Sequence, residues 1–188
     1  MFDIAGAAVE GALAAGARYA DARVMFMRTE SVAVRNGVVE RLVQNESAGV
    51  GVRALIGSSW GFHATRELAD AAARRAGEQA AAIAKASASV PGPALELASS
   101  DPVEAHWEST WEVHPLDGVT LAEKTDLLVG VTSTINAAGV PIADAGHSVW
   151  DTEKWFASSE GHRISQRIVE CGALMSATAI GDGETQRR

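Results

Sequence analysis

Apolar residues recur at every second position from Val50 to Ile56, and this period of two predicts a β-strand with one buried face. Residues 57–59, with the sequence Gly-Ser-Ser, predict a tight turn after that strand. A second alternation, from Trp60 to Ala64, predicts the partner strand. The stretch is therefore predicted to form a β-hairpin.

Two interpretations fit the glycines on the other face of the first strand. Gly49 and Gly51 leave that face bare beside Arg53, as the close approach of a ligand or of another backbone requires. Alternatively, the two glycines relieve packing under a crossing helix. The sequence leaves both interpretations open.

Helical spacing of apolar residues flanks this hairpin on both sides. It predicts a helix over residues 4–15, capped by Asp3 and ended by Gly16. It also predicts a helix over residues 66–86, for which the Thr65 hydroxyl is the expected cap. The apolar stripe expected to face the core from the second helix consists of Leu68, Ala72, Ala76, Ala80 and Ile83.

Another hairpin is predicted upstream, centred on the dipeptide Asn36-Gly37, which favours a two-residue turn. Strand-like alternation begins near Tyr19, leads into this turn and resumes at Val38. Together with the strands on either side of residues 57–59, these segments predict an antiparallel sheet of four or five strands flanked by two helices.

Residues 87–103 show no periodicity and are rich in Ser, Ala, Pro and Gly, which predicts a linker. A capping box from Thr120 to Glu123 then predicts a helix that runs to about Ala138 and ends at Gly139. The residues of this helix expected to face inward are Leu121, Leu128, Val131 and Ile135. Four strands are predicted after it, at residues 142–151, 153–158, 162–170 and 172–180.

The two halves of the chain follow the same order, a helix and then antiparallel strands with an Xaa-Gly turn, and this order predicts an internal duplication. The offset that aligns Gly37 with Gly161 also pairs Glu46 with Glu170, Ile56 with Ile180 and Gly57 with Gly181. We therefore predict an α/β fold of the α+β type. Its two similar subdomains, residues 1–86 and 104–188, each combine a helix with an antiparallel or mixed sheet.

The negative charge of the chain argues against one class of partner, nucleic acid. The formal net charge is −8 over 188 residues, and no basic cluster is larger than Arg187-Arg188, so direct contact with nucleic acid is not expected.

Cys171 is the one cysteine, which excludes an internal disulfide framework. The amino terminus is acidic where a signal peptide is basic, and no apolar run approaches the roughly 20 residues of a membrane span. A cytoplasmic protein without membrane contact is the expectation.

The sequence offers little conventional catalytic chemistry. A zinc-binding helix places two histidines one turn apart. No such pair occurs among His63, His106, His114, His147 and His162. The glycines beside Val50 lack the following helix of a phosphate-binding loop. Four tryptophans either form an aromatic binding wall or anchor the core, namely Trp107, Trp111, Trp150 and Trp155.

Short stretches distributed along nearly the whole chain carry a resemblance to a known family. In the first half they are residues 19–24, 28–31, 35–40 and, above all, the Gly-Val-Gly-Val-Arg run of 49–53 leading to 60–62. In the second half they are residues 107–116, the helix after Thr120, and residues 153–157 and 161–166. In this order they resemble the amino-terminal and middle regions of the TldD-type subunit of the TldD/PmbA family, also called the modulator of DNA gyrase family.

This resemblance implies a zinc metallopeptidase that degrades short or unfolded peptides and trims peptide precursors. It also implies assembly as a homodimer or as a heterodimer with a PmbA-type subunit. The family's zinc-binding His-Glu-x-x-x-His helix does not occur in these 188 residues, so no catalytic or metal-binding residue is assigned and no cofactor is expected in this chain. The residues expected to line a peptide cleft are Gly49, Gly51, Arg53, Trp60, Phe62 and His63.

Two hypotheses follow from the resemblance. In the first, the chain is a truncated portion of the metallopeptidase that shapes the peptide cleft and supports assembly but is inactive alone. This hypothesis is favoured by the polar residues 182–188, which we expect to form no closing element. In the second, the chain is a stand-alone, non-catalytic module that binds peptides or regulates a full-length relative.

Overall fold

The computed structural model describes residues 1–90, 92–98 and 100–188. Its three helices are α1 (Phe2–Ala14), α2 (Asp70–Ser87) and α3 (Leu121–Ala137). Its strands are β1 (Tyr19–Arg35), β2 (Val38–Ile56), β3 (Ser59–Thr65), β4 (Glu104–Glu108), β5 (Ile142–Ser158), β6 (Arg163–Gly181) and β7 (Glu184–Arg187). Helices and strands therefore both contribute, and the predicted α+β class is confirmed.

The strands form one mixed sheet in the order β3-β2-β1-β5-β6-β4, and β7 also pairs with β6. The pairs β2–β3 and β6–β7 are antiparallel, whereas β4 runs parallel to β6. No helix in the described part of the chain is long and apolar enough to cross a membrane.

The chain divides into two compact units that interleave along the sequence. Unit 1 comprises Met1–Met27, Ser47–Glu108 and Thr152–Arg167. Unit 2 comprises Arg28–Glu46, Ser109–Asp151 and Ile168–Arg188. The strands β1, β2, β5 and β6 each have residues in both units, so these units divide the chain differently from the predicted subdomains 1–86 and 104–188.

Unit 1 has a core of small residues in which α1, α2 and the sheet approach one another closely. A Cβ atom built on Gly77 of α2 would overlap the carbonyl oxygen of Ala8 in α1 and lie 2.7 Å from the amide nitrogen of Ala12. A Cβ on Gly61 of β3 would similarly overlap the Ala80 carbonyl oxygen of α2. The glycines and alanines of these elements therefore set the spacing of the helices and the sheet.

Unit 2 combines a small apolar cluster with a buried ion pair. The cluster consists of Val32, Val34, Leu128 and Ala145. Beside it, the Lys124 ammonium of α3 donates a 2.7 Å hydrogen bond to Glu30 of β1, and both side chains are buried. Burial alone would raise the pKa of Glu30, but hydrogen bonds from Lys124 and Gln44 lower it below its ordinary value. The buried face of α3 is therefore partly polar. The charge of Lys124 is tolerated there because Glu30 balances it.

The helix boundaries differ from the prediction mainly at the start of α2. This helix begins at Asp70 rather than at residue 66, and its N-cap, Ala69, contributes no side-chain hydrogen bond. The Thr65 hydroxyl accepts a hydrogen bond from the Glu67 amide, so it stabilises a local turn rather than the helix. Ile83 was predicted to be buried but is 42% exposed, because the buried stripe of α2 runs through its alanines.

The amino-terminal helix and α3 follow the sequence signals more closely. The N-cap of α1 is Met1, and the predicted cap Asp3 lies in the first turn of the helix. The predicted capping box of α3 is present, since the Glu123 amide donates to the Thr120 hydroxyl and the Thr120 amide to the Glu123 carboxylate. The left-handed conformation of Gly139 follows α3, as expected for a helix stop.

The number of strands was predicted incorrectly in both halves. Residues 1–86 contain three strands instead of four or five, because β1 and β2 continue through polar segments that the pattern suggested were breaks. Likewise, the two strands predicted over residues 142–158 are one strand, β5, and those predicted over 162–180 are one strand, β6. Residues 184–187 form β7, so the polar end of the sequence does contain a strand.

The order helix, long strand, long strand, short strand occurs twice, as α1-β1-β2-β3 and as α3-β5-β6-β7. β1 and β5 each have 17 residues, and β2 and β6 each have 19. Gly37 and Gly161, which the sequence offset pairs, both adopt positive φ angles in the turns between the long strands. These similarities support the predicted duplication, which stays a prediction.

Candidate functional site

One face of the sheet in unit 1 carries most of the predicted cleft residues. Directly opposite residues of antiparallel strands share a face, and Arg53 lies opposite Phe62 while Leu55 lies opposite Trp60. The alternate residues, including Val52, pack against the core formed with α1 and α2. Phe62 is 59% exposed and Trp60 37%. We call the face that carries these residues the open face of unit 1.

His63 lies on the other side of the sheet from this open face. It pairs with Val52, which is fully buried in the core beneath the helices. Successive residues of a strand point to opposite faces, so His63 and Phe62 do not share a surface. The structure therefore groups five of the six candidates, namely Gly49, Gly51, Arg53, Trp60 and Phe62.

A buried carboxylate on the open face binds two arginines. Asp21 of β1 is fully buried and accepts hydrogen bonds from Arg53 at 2.6 and 3.1 Å and from Arg23 at 2.6 Å. Both arginine side chains are more than a third exposed. We call these three residues the charged row. One carboxylate is shared between two cations, so the charged row has a net charge of +1.

Aromatic rings hold the charged row at both ends. The Arg53 guanidinium lies 5.2 Å from the ring centre of Trp60, and that of Arg23 lies 4.8 Å from the ring centre of Phe156. Tyr19 packs edge-on against Trp60 with ring centres 5.7 Å apart. Burial and the adjacent Asp21 carboxylate raise the pKa of Tyr19 to about 12, so the phenol is neutral at physiological pH.

A groove of about 520 Å³ runs beside the charged row on the open face. Its apolar part includes Met25 and Phe62, which are 40% and 59% exposed. A Cβ atom on Gly51 would lie 3.2 Å from the Phe62 ring, and one on Gly49 would lie 2.9 Å from the Thr65 carbonyl oxygen. Both glycines therefore make close contacts with β3 and its end, and a larger residue at either would crowd the groove.

Unit 2 contains a second groove of about 670 Å³. It is lined by Trp150, by small residues of β5 and β6, and by a charged pair in which Arg35 donates a 2.7 Å hydrogen bond to Asp144. No predicted site residue lines it. Among the four tryptophans considered above, Trp150 is exposed here, whereas Trp155 packs against the core of unit 1 beside Phe26.

One group of residues in unit 2 resembles a metal site in composition. A nitrogen of His114 and carboxylate oxygens of Asp117 and Asp151 lie within 4.8 Å of one another. Arg28 donates hydrogen bonds of 2.8 and 2.9 Å to Asp117 and of 2.7 Å to Asp151. These bonds lower the pKa of Asp117 and supply the positive charge that a metal ion would otherwise contribute.

The histidine of this group is also oriented by the backbone. Its Nδ1 accepts hydrogen bonds from the amides of Leu116 and Asp117 at 3.3 and 3.2 Å, which assigns the proton to Nε2, 3.4 Å from Asp151. A zinc ligand requires an unprotonated nitrogen and carboxylate lone pairs that are not held by a guanidinium. The group therefore does not fit zinc, and it fixes the segment before α3 by ion pairing.

We expect the purified chain to hold no stoichiometric zinc, because among the described residues the one group with metal-ligand composition has both of its carboxylates bound by Arg28. Elemental analysis after dialysis against a weak chelator measures this directly. About one zinc per chain would contradict the prediction.

Sequence reasoning did not identify Asp21, Arg23 or the Glu30–Lys124 pair as structurally important. The available signal was the presence of Asp21 and Arg23 in residues 19–27, which are otherwise mostly apolar. Buried charges need partners, so Asp21 on a buried strand indicates a cation on a neighbouring strand. The sequence does not specify which cation, because strand neighbours are distant along the chain.

Comparison with known proteins gives a family match that includes residues of both units. The family described as PmbA/TldA metallopeptidase domain 1 matches residues 20–84. This match contains the whole groove of unit 1, which is lined by residues between Arg23 and Arg66.

Curated relatives extend the similarity over most of the chain. A metalloprotease of Methanocaldococcus jannaschii is 23% identical over 168 residues, covering 89% of this chain and 37% of the relative. A metalloprotease of Methanothermobacter thermautotrophicus is 26% identical over 161 residues, covering 86% of this chain and 34% of the relative. The chain thus spans about a third of the length of these relatives.

Solved structures share the fold. Proteins named as modulators of DNA gyrase from Bacteroides thetaiotaomicron and Thermotoga maritima match with TM-scores of 0.73 and 0.72 at 11% and 13% identity. The alignments cover 98% and 99% of this chain and 42% and 41% of those proteins. TldE from Thermococcus kodakarensis matches with a TM-score of 0.66 at 13% identity, over 94% of this chain and 39% of TldE.

The family match, the relatives and the shared fold agree with one another and with the resemblance found in the sequence. The matched relatives carry the names metallopeptidase, metalloprotease and modulator of DNA gyrase. The chain is similar to the TldD/PmbA family, and its residues 20–84 match a domain of that family.

Proposed function

We propose that the open face of unit 1 binds extended peptide segments, and that the chain contributes this face to a zinc metallopeptidase acting on small or unfolded peptides. The observation that carries the proposal is the groove beside the charged row. It is open to solvent, exposes Phe62 and Met25, and lies entirely within the residues that match the family domain. Exposed aromatic and methionine side chains are favourable contacts for peptides of varied sequence.

The charged row gives this groove a rigid side. Arg23 and Arg53 are each fixed by Asp21 and by an aromatic ring, so little side-chain entropy would be lost when a peptide binds beside them. Apolar side chains of a bound peptide would contact Met25 and Phe62. A preformed groove with few mobile groups lowers the entropic cost of binding an extended peptide.

The chain's part in the enzyme would be peptide binding, because the one described group with metal-ligand composition does not fit zinc. The resemblance implies that zinc and its ligand helix belong to the family enzyme as a whole, so no residue of this chain is proposed to act in the chemical step. The proposed assembly is a homodimer or a heterodimer with a PmbA-type subunit, in which the open face would present the peptide to a catalytic site elsewhere in the assembly.

A second candidate function is a stand-alone, non-catalytic module that binds peptides or regulates a partner. It is favoured by one observation: all the described residues that line the groove belong to unit 1. Peptide binding at the open face is common to both candidates, so it is the property to test first.

Substitution of Phe62 by alanine tests peptide binding at the open face. We expect Phe62→Ala to weaken binding of labelled, unfolded peptides that carry leucine in a polar context by about tenfold, as loss of a central aromatic contact does. Fluorescence anisotropy measures the change. Phe62 is largely exposed, so the fold should be retained, and circular dichroism checks this.

The matched control is Ile83→Ala, which removes a similarly exposed apolar side chain from α2 and does not line the groove. Binding by this variant should equal that of the parent chain. The proposal fails if no such peptide binds the parent, or if Phe62→Ala and Ile83→Ala bind equally well.

A further inference from the structure

We infer that the groove of unit 1 selects extended segments with the pattern acidic-x-apolar-x-acidic. This inference rests on the proposed peptide-binding function and names its substrate class. It follows from the positions of the arginines that line the groove, from their spacing along β2 and from the apolar surface between them.

Positive charge lies at both ends of the groove. Arg23 and Arg53 of the charged row stand at one end and share a single carboxylate, which leaves one positive charge uncompensated. Arg66 stands at the other end, where its Cα atom lies 3.7 Å from the position of a Cβ on Gly49. No acidic residue is found among the described residues that line the groove, although the chain as a whole carries a net charge of −8.

The distance between these ends matches the repeat of an extended peptide. Gly49 and Arg53 are four residues apart on β2, a separation of about 13 Å at the rise of a β-strand. In a second extended chain lying along β2, side chains that face the groove recur at every second residue. Two acidic side chains four residues apart would therefore reach the two positive ends together.

The middle of the groove suits an apolar side chain. Met25, Phe62 and Ala64 line it there, and Gly51 adds no side chain of its own. The residue midway between the two acidic positions faces the same way as they do and would contact this surface. Complementary charge at both ends would fix the register of the peptide, and the apolar contact would contribute affinity.

Three peptides that differ only in charge or in its placement test the inference. Each has the same Gly-Ser flanks, and the central sequences are Glu-Ser-Leu-Ser-Glu, Gln-Ser-Leu-Ser-Gln and Ser-Glu-Leu-Glu-Ser. We expect the first to bind the full chain about tenfold more tightly than the second. This difference is in the upper part of the range that two half-exposed ion pairs contribute to affinity. The third has the same charge as the first with its carboxylates on the opposite face, and it should bind like the second.

Salt and substitution provide further readouts. The preference for the first peptide should shrink as salt is raised, because exposed ion pairs are screened. Arg66→Gln should reduce this preference severalfold, whereas Arg75→Gln, an exposed arginine of α2 outside the groove, should preserve it.

The outcomes separate this inference from the proposed function. Equal binding of all three peptides would overturn the charge pattern and leave peptide binding intact. Equal binding of the first and third would show attraction by net charge without the proposed register, and would also overturn it. If none of the three peptides bound the chain, the result would count against the proposed function itself.

Discussion

Replacing Asp21 by alanine is expected to lower the free energy of unfolding by about 3 kcal/mol, the lower end for breaking a buried ion pair. The side chain is fully buried and binds two guanidinium groups, which would lose their shared partner and lie side by side uncompensated. The partial exposure of Arg23 and Arg53 limits the loss. For a chain of this size the midpoint of thermal unfolding should fall by about 6–12 °C.

Tyr19 provides a second readout of substitution at Asp21, here by asparagine. It is the one tyrosine in the chain, so its ionisation can be followed by ultraviolet difference absorbance without a contribution from another tyrosine. Burial and Asp21 together raise its pKa to about 12, so the titration midpoint should move down in Asp21→Asn. A neutral phenol with a raised pKa stabilises the folded chain below pH 10, and this contribution is lost between about pH 10 and 12.

Asp126→Ala is the control for both measurements, because it removes an exposed carboxylate on α3. It should change the free energy of unfolding by no more than about 0.5 kcal/mol and leave the Tyr19 titration in place. If Asp21→Ala were as stable as this control, the charged row would not be a structural centre of unit 1.

Replacing Gly77 by alanine should also destabilise the chain, by about 2 kcal/mol. The added methyl group would overlap the Ala8 carbonyl oxygen of α1, and because this atom belongs to the backbone, α1 would have to move away from α2. The displacement would loosen the alanine-rich contact between the two helices. The usual gain of up to about 1 kcal/mol from alanine in a helix would offset only part of this cost.

The same substitution at Gly6 of α1 should have the opposite sign. A Cβ atom there would meet no other atom within 4 Å, so the intrinsic preference of alanine should stabilise the helix by about 0.5–1 kcal/mol. Urea unfolding of both variants compares the two positions directly. Similar effects at Gly77 and Gly6 would mean that α1 and α2 do not pack as closely as described.

The candidate site shows how far a strand pattern leads toward function. Alternation placed Arg53, Trp60 and Phe62 on a predicted hairpin, and the antiparallel register brings their side chains to one face. The alternation alone did not exclude His63 from the site. His63 lies on the face that the helices cover, and the sequence pattern does not show which face is covered. Asp21 entered the site from a strand 32 residues away from Arg53, a separation that local sequence patterns do not bridge.

Local sequence alone determined the turns and most of the helices of this protein. Asn36 and Gly37 both adopt positive φ angles, which few other residues tolerate, so this turn is specified by the two residues themselves. The capping box of Thr120 and Glu123 is specified in the same way, because its hydrogen bonds join residues three positions apart. The family resemblance was also visible, since it depends on short motifs in a fixed order.

Tertiary structure alone decided the strand lengths, the buried charges and the extent of the groove. β1 and β2 continue through polar segments because backbone pairing with neighbouring strands does not require apolar side chains. Lys124 is buried because Glu30, 94 residues earlier, lies beside it. Each of these features depends on a partner far away in the chain, and such pairings are chosen by the packing of the whole sheet and its helices rather than by neighbouring residues.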